Sequence, residues 1–343
     1  MVIVISDWES MGSDSIDRDA TQSESSMPDQ SDQSSLTPLI VLSVEAIERA
    51  ARDIDPVFRN TPQSEADALG RRLGARVVLK VETVNPIRSF KGRGTDFYVR
   101  TAASGQSKLV TASAGNFGQG LAYAARARGI VLDVFAAESA NPRKVARMRE
   151  LGATVHLAGR DFDDAKAHAR DHALREGATF VEDGREPAIT EGAGSIAVEL
   201  CAWPAPFATI IIPLGNGALL GGMGTWIRHV SPETRIVGVC AAGAPAMRDS
   251  LRVGRAVESA SVNTMADGIA VRIPVPESLD YLPPVVDEIV LVSEDSLRQA
   301  MSIVEAETGL IAEAAGAAGI AALIEHPQLR AGLVATPLCG SNR

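Results

Sequence analysis

The sequence predicts an α/β fold in which parallel β-strands are wrapped by helices and gathered into two lobes. Three observations predict it. From Val44 onward, short β-branched runs alternate with longer Ala-, Arg- and Glu-rich stretches of helical period. The chain has 343 residues, enough for two lobes at roughly 100–200 residues each. Its composition, 45% hydrophobic and 22% charged, is that of a globular protein that buries a core without disulfides or metals.

The β-branched runs place strands at Arg76–Glu82, Lys108–Thr111, Val131–Ala136, Thr154–Leu157, Thr209–Pro213, Arg235–Cys240 and Glu288–Val292. The stretches between them carry helical period and predict helices over Ser64–Leu73, Asn116–Arg128, Pro142–Leu151 and Phe162–Glu176. Further helices are predicted over Gly192–Cys201, Leu220–His229, Ser293–Thr308 and Ala315–Glu325. No repeat of solenoid length is present.

Residues 1–38 differ from the rest. They hold eight acids and one base, Arg18, so most of the chain's net charge of −10 sits there. With almost no aliphatic residues from Asp7 to Pro38, this segment cannot bury enough surface to offset the entropy of ordering, and a disordered acidic tail is expected. The remainder has no basic face and only 4% of the chain is aromatic, which argues against nucleic-acid binding. Cys201, Cys240 and Cys339 lie far apart, without the spacing of a zinc site or a disulfide framework, and fit a reducing cytoplasm. The apolar start is too short for a signal-peptide core and longer apolar stretches are broken, so neither secretion nor a membrane span is expected.

Four segments carry chemistry. In Asn85-Pro86-Ile87-Arg88-Ser89-Phe90-Lys91-Gly92-Arg93-Gly94, a lysine stands beside an aromatic in a glycine-rich turn after a strand. A lysine forms a Schiff base when its amine is accessible and can lose its proton, and a buried turn favours both; taken alone, the pattern also describes a surface lysine. In Thr111-Ala112-Ser113-Ala114-Gly115-Asn116-Phe117-Gly118-Gln119-Gly120, a strand ends and small or amide residues lead into a helix. Free amides at such a helix start make a carboxylate receptor, or simply a capped turn.

The third segment runs from the buried strand Ile210-Ile211-Ile212-Pro213 into Leu214-Gly215-Asn216-Gly217-Ala218-Leu219-Leu220-Gly221-Gly222. Small residues there let successive amides converge on a phosphate at a helix N-terminus. Gly215-x-Gly217 with Glu233 downstream also sketches a dinucleotide turn, although Leu220 breaks the G-x-G-x-x-G spacing. The fourth, Val334-Ala335-Thr336-Pro337-Leu338-Cys339-Gly340-Ser341-Asn342, closes an apolar run on small polar residues where ligands sit in open α/β sheets. Alone, Cys339 reads as a small buried hydrophobe.

Taken together, in this order and spacing, the four segments resemble the fold-type II pyridoxal-phosphate enzymes (tryptophan synthase beta-like), specifically the threonine/serine dehydratase branch. Thr264-Met265-Ala266-Asp267-Gly268-Ile269-Ala270-Val271 and Glu313-Ala314-Ala315-Gly316-Ala317 add to the likeness, which covers about residues 45–342. The resemblance implies two open, twisted, mostly parallel sheets with helices on both faces. The large cofactor-binding domain would comprise 39–107 plus 186–343, with a small inserted domain over 108–185 and the cofactor between them.

It further implies that Lys91 holds pyridoxal 5'-phosphate as a Schiff base and then serves as acid and base at Cα. Phe90 would pack on the ring, Asn116 would bond its 3-hydroxyl, and Cys339 would face its nitrogen, with Glu313 beside the cofactor. Gly215, Asn216, Gly217, Ala218 and Leu219 would bind the phosphate. Ser113, Ala114, Gly115, Asn116 and Phe117 would receive the substrate. The implied reaction is β-elimination from a small β-hydroxy amino acid such as L-threonine or L-serine, giving a 2-oxo acid and ammonia. A thiol opposite the ring nitrogen makes a weaker electron sink and favours elimination over chemistry that needs a long-lived carbanion. Cysteine-synthase-like β-replacement and a non-catalytic pyridoxal-phosphate-binding protein are the alternatives.

Departures from the family pattern are visible as well. Ala114 stands where serine racemases have a second serine, and Phe117 replaces the histidine common in the dehydratase loop. The segment Val239–Pro245 lacks the acid that opens the divalent-cation site of metal-activated relatives, so no metal is expected there. His168 and His172 have i, i+4 spacing but read as a solvated helix face. The short stretch after Cys339 leaves no regulatory domain to be expected, and the resemblance implies a cytoplasmic homodimer without nucleic-acid or membrane partners.

Overall fold

Ser43 opens the first helix, its hydroxyl accepting a hydrogen bond from the Ala46 amide at 3.1 Å and so satisfying one of the orphan donors of the first turn. The computed structural model describes residues 39–343, and the acidic segment 1–38 expected to be disordered lies outside the described residues. The chain enters through α1 (Val44–Asp53), β1 (Gln63–Glu65), α2 (Asp67–Leu73), β2 (Arg76–Val81) and α3 (Lys91–Arg100). It then builds β3 (Lys108–Ala112), α4 (Asn116–Arg126), β4 (Val131–Ala136), α5 (Pro142–Glu150), β5 (Thr154–Leu157), α6 (Phe162–Glu176) and β6 (Thr179–Val181). The return runs through α7 (Pro187–Leu200), β7 (Thr209–Pro213), α8 (Ala218–Val230), β8 (Arg235–Ala241), α9 (Ala246–Val253) and α10 (Ser278–Tyr281). It ends with β9 (Glu288–Val292), α11 (Glu294–Thr308), α12 (Ala318–Glu325) and β10 (Leu333–Leu338).

The strands form two sheets. The larger has the order β1-β2-β10-β7-β8-β9, parallel except for β1, and the smaller has the order β5-β4-β3-β6, parallel throughout. Alternation along each strand assigns the faces. Val77, Leu79 and Val81 of β2 join the cluster built on α11 and α12, whereas Val78 joins the opposite cluster with Ile196 of α7 and Leu220 of α8. In the smaller sheet, Leu109 packs with Leu121 of α4 and Met148 of α5, while Val110 packs with Ala169 and Ala173 of α6. Helices thus cover both faces of each sheet, the α/β architecture expected.

β10 lies in the middle of the larger sheet although it is the last strand in the chain. Its pairing with β7 is confined to Val334 and Ala335, so Pro337 falls where that ladder has already ended. Because β2, β10 and β7 are parallel, their C-terminal ends open on the same edge, the edge on which ligands sit in such sheets.

Several elements differ from expectation. The helix expected from Ser64 starts at Asp67, because Gln63–Glu65 pairs antiparallel with β2. α7 starts at Pro187, five residues before the expected Gly192, with proline at its first position, where the missing N–H costs nothing. Lys91 begins a helix where a glycine-rich turn was expected. α1, α9 and β6 had no counterpart among the expected elements.

A buried charge network fixes the start of α3. Arg93, fully buried, donates from Nε to Glu82 at 2.8 Å and from its terminal nitrogens to Glu199 at 2.7 and 2.9 Å. Lys80 Nζ reaches the same Glu199 at 2.5 Å. Burial alone would raise the Glu199 carboxyl, but the Arg93 hydrogen bonds and charge, joined by Lys80, hold it down to about 2. Two residues from Lys91, this network ties β2, α3 and α7 together.

Candidate active site

Four strand ends converge. β2 leads through Asn85 to Lys91, β3 leads to Ser113–Asn116, β7 leads to Gly215–Gly217, and β10 leads to Cys339. The first and last are joined directly. The Phe90 amide donates to the Cys339 carbonyl at 3.0 Å, the Ser89 hydroxyl to the same oxygen at 3.2 Å, and the Ser341 amide to the Arg88 carbonyl at 3.0 Å. Asn85 stiffens the approach, its side-chain oxygen accepting from Ile87 N at 3.1 Å and its nitrogen donating to Ser89 O at 3.0 Å.

Lys91 Nζ lies 4.7 Å from the Phe90 ring centroid and 5.9 Å from that of Phe117. Its polar partner is Asp183 Oδ2, 2.5 Å away, from the loop that follows β6. Asp183 was not among the expected site residues: it stands in a Glu-Asp-Gly turn without a motif, 92 positions from the lysine it meets.

Ser113 differs from expectation. Its hydroxyl oxygen accepts from the amides of Gly115, at 3.2 Å, and Gly118, at 2.9 Å, so two amides of the receptor loop are capped from within. Ala114 is exposed, and Phe117 is buried in the hydrophobic cluster of the smaller sheet. Asn116 is held on both sides: its Nδ2 donates to Glu313 Oε1 at 2.6 Å and its Oδ1 accepts from Asn342 Nδ2 at 2.8 Å. One Nδ2 hydrogen is left for a ligand. Asn342, also not anticipated individually, in addition donates to the Ile87 carbonyl at 2.8 Å.

Glu313 is buried. Burial pushes its carboxyl up to about 7, with the charge of Asp267 adding to the rise. Burial likewise drives the Cys339 thiol far above its ordinary value, and Sγ–H donates to Ala315 O at 3.6 Å. The sulfur is therefore a neutral donor, not a thiolate.

The loop after β7 has the shape of an anion cradle. Gly217 caps α8 with φ +97°, a left-handed conformation that suits glycine, and among the described residues no side chain caps the first-turn amides of α8. A Cβ at Gly215 would stand 2.7 Å from the Gly268 carbonyl, so only glycine allows that close approach. Asn216 Oδ1 is buried without a hydrogen-bond partner among the described residues. Lys144 of α5 pairs with Asp267, and Arg272 with Asp163, linking the smaller sheet's layer to the 264–272 segment.

The expected solvated face holds for His168, which is exposed, but not for His172. That side chain is partly buried and bonded to Asp133 at 2.9 Å, with His156 Nε2 3.2 Å from the same carboxylate and Lys108 Nζ 2.9 Å from it. This cluster belongs to the smaller sheet and is separate from the site residues.

An amine at the ends of parallel strands, a flat aromatic beside it and an uncapped glycine cradle for an anion together define an enzyme built around a phosphorylated carbonyl cofactor. Residues 54–340 match the pyridoxal-phosphate dependent enzyme family, and the chain belongs to that family. Within it, the chain falls in the threonine/serine dehydratase branch. It is 37% identical over 270 residues to an L-threonine ammonia-lyase of Geobacter sulfurreducens, covering 78% of this chain and 67% of that protein. It is 32% identical over 304 residues to an L-threonine ammonia-lyase of Thermotoga maritima, covering 88% and 76% respectively. The crystal structure of a T.th. threonine deaminase superposes with a TM-score of 0.83 at 30% identity, over 88% of this chain and 98% of that one. The cofactor is pyridoxal phosphate. The residues present fit it, since the cradle offers uncapped amides and Lys91 supplies the amine.

Proposed function

We propose that this protein removes water from a small β-hydroxy amino acid, L-threonine or L-serine first, and releases a 2-oxo acid and ammonia. The observation that carries the reading is the placement of Lys91 Nζ beside the Phe90 and Phe117 rings, at the strand edge where the receptor loop and the glycine cradle also open. The names of the relatives support it. Pyridoxal phosphate, when bound, withdraws electrons from the substrate and makes its Cα proton acidic.

The chain's own residues do the rest. Lys91 takes the Cα proton, and Phe90 packs against the flat ring. Gly215, Asn216, Gly217, Ala218 and Leu219 hold the phosphate with amides of the cradle. Asn116, braced by Glu313 and Asn342, offers its free Nδ2 hydrogen to the ring's hydroxyl, and Cys339 faces the ring nitrogen as a neutral thiol. The Ser113 hydroxyl hydrogen and the Asn116 and Phe117 amides receive the substrate carboxylate, with the Gly115 amide held by Ser113 to shape the loop, and Ala114 and Phe117 line the pocket with apolar surface. Ala114 supplies no proton donor, which favours elimination over racemisation.

The same reading takes residues 108–185 as a small domain inserted into a larger one formed by 39–107 and 186–343. It also takes the protein as a cytoplasmic homodimer acting on a small molecule, without nucleic-acid or membrane partners; no described helix is long and apolar enough to cross a membrane. Visible spectra recorded with L-threonine, while 2-oxo acid is assayed in the same cuvette, test the function. A cofactor band that shifts as 2-oxobutyrate accumulates, and that is absent from Lys91→Ala, is expected. A band that ignores L-threonine and, in a second titration, L-serine, but responds once sulfide is added would replace elimination with β-replacement.

A further inference from the structure

Asp183 has no assigned role, yet it is the polar partner of the lysine on which the chemistry turns. Its Oδ2 lies 2.5 Å from Lys91 Nζ, and its Oδ1 is buried with no hydrogen-bond partner among the described residues. The loop that carries it is pinned on both sides. Tyr281 donates its phenolic hydrogen to the Gly184 carbonyl at 2.7 Å, and Gly184, at φ +88°, sits so close to Asn216 of the glycine cradle that a Cβ there would stand 2.8 Å from the Asn216 Cβ. Asp183 is therefore a fixed carboxylate between the lysine and the cradle.

Elimination of water needs two proton events. One proton must leave Cα, and hydroxide, a poor leaving group, must acquire one as the Cβ–O bond breaks. We propose that Asp183 is a catalytic acid that passes the proton collected by Lys91 to the departing hydroxyl. The inference rests on the β-elimination proposed above. Lys91 Nζ takes the Cα proton and hands it along the 2.5 Å hydrogen bond to Asp183. The acid then protonates the β-oxygen, the electron pair of the Cα–H bond becomes the second bond between Cα and Cβ, and the Cβ–O pair leaves with the oxygen as water. The lysine and the carboxylate end as they began, with no outside acid or base consumed.

Leaving-group dependence tests the relay. β-Chloro-L-alanine expels chloride, which needs no proton, whereas L-serine must expel water. In the holoenzyme, Asp183→Asn should lower turnover of L-serine on the order of 100-fold, the usual share of a general acid, while turnover of β-chloro-L-alanine stays near that of wild type. The variant should keep its visible cofactor band, and in heavy water it should still exchange the Cα hydrogen of L-serine. The ratio of the two turnovers is independent of the fraction of protein folded and loaded, and Asp183→Glu, which keeps an acid, should bring it back toward wild type. Equal loss on both substrates, or an unchanged rate on L-serine, would overturn the relay while leaving the lyase assignment standing. Failure of the wild type to eliminate either leaving group would overturn both.

Discussion

Asn116 and Glu313, 197 positions apart in sequence, are joined by a 2.6 Å hydrogen bond from Nδ2 to Oε1 that closes the receptor loop against the β10 layer. The donor fixes one carboxyl oxygen, while Glu313 Oε2 is buried without a hydrogen-bond partner among the described residues. Burial, with the charge of Asp267 added, outweighs that hydrogen bond and holds the acid up to about 7.

The pair makes stability depend on pH in a definite direction. An acid raised on folding binds a proton between its ordinary value of 4.5 and about 7, so its contribution to stability falls as pH rises through that window and stays lower above it. Glu313→Gln removes this loss. Urea unfolding of the cofactor-free protein should show the variant gaining roughly 2–3 kcal/mol relative to wild type between about pH 4 and about pH 8.

Glu199 gives the opposite sign. Its folded value is depressed, so the stability it contributes is fully present above 4.5 and is lost as pH falls toward about 2. Glu199→Gln at neutral pH leaves Arg93 and Lys80 short of a buried counter-charge and should cost roughly 3–5 kcal/mol by chemical denaturation. It should also remove this carboxylate's share of the acid sensitivity.

Cysteine titration checks the state of the thiols. Cys240 and Cys339 are buried, and burial raises both far from the thiolate. Neither should react with a thiol reagent in the native protein at about pH 8, whereas all three cysteines should react after denaturation.

Gly217 tests the cradle. Alanine there would have to adopt φ +97° with its Cβ 2.9 Å from Leu282, so Gly217→Ala should weaken cofactor binding by roughly 1–3 kcal/mol, read from the visible band on titration with pyridoxal phosphate.

Much of the fold was legible because buried parallel strands announce themselves as β-branched runs: Val131–Ala136, Thr209–Pro213 and Glu288–Val292 fall where the pattern puts them, as does the more exposed edge strand Thr154–Leu157. Gly92 and Gly94 misled for a physical reason. They permit close packing inside a helix rather than a turn, since a Cβ at Gly92 would run into the Phe58 ring and one at Gly94 into the Ile189 carbonyl. At the site, the chemistry-bearing segments were readable because each is a strand end followed by small residues. Asp183 was not, because nothing near it in sequence indicates that Lys91 is its neighbour, and Ser113 kept its place in the receptor loop while its hydroxyl turned inward to cap Gly115 and Gly118.

The middle position of β10 has a consequence for synthesis. While the ribosome is still adding residues after β2, that strand has only β1 beside it, and β7 lacks its neighbour on one side until Leu333–Leu338 emerges. Open strand edges of that kind invite pairing with other chains. The nascent protein thus carries its greatest exposure to aggregation until the strand that leads into Cys339 and Asn342 has been made, so that a chain able to bind its cofactor is also one whose larger sheet has closed.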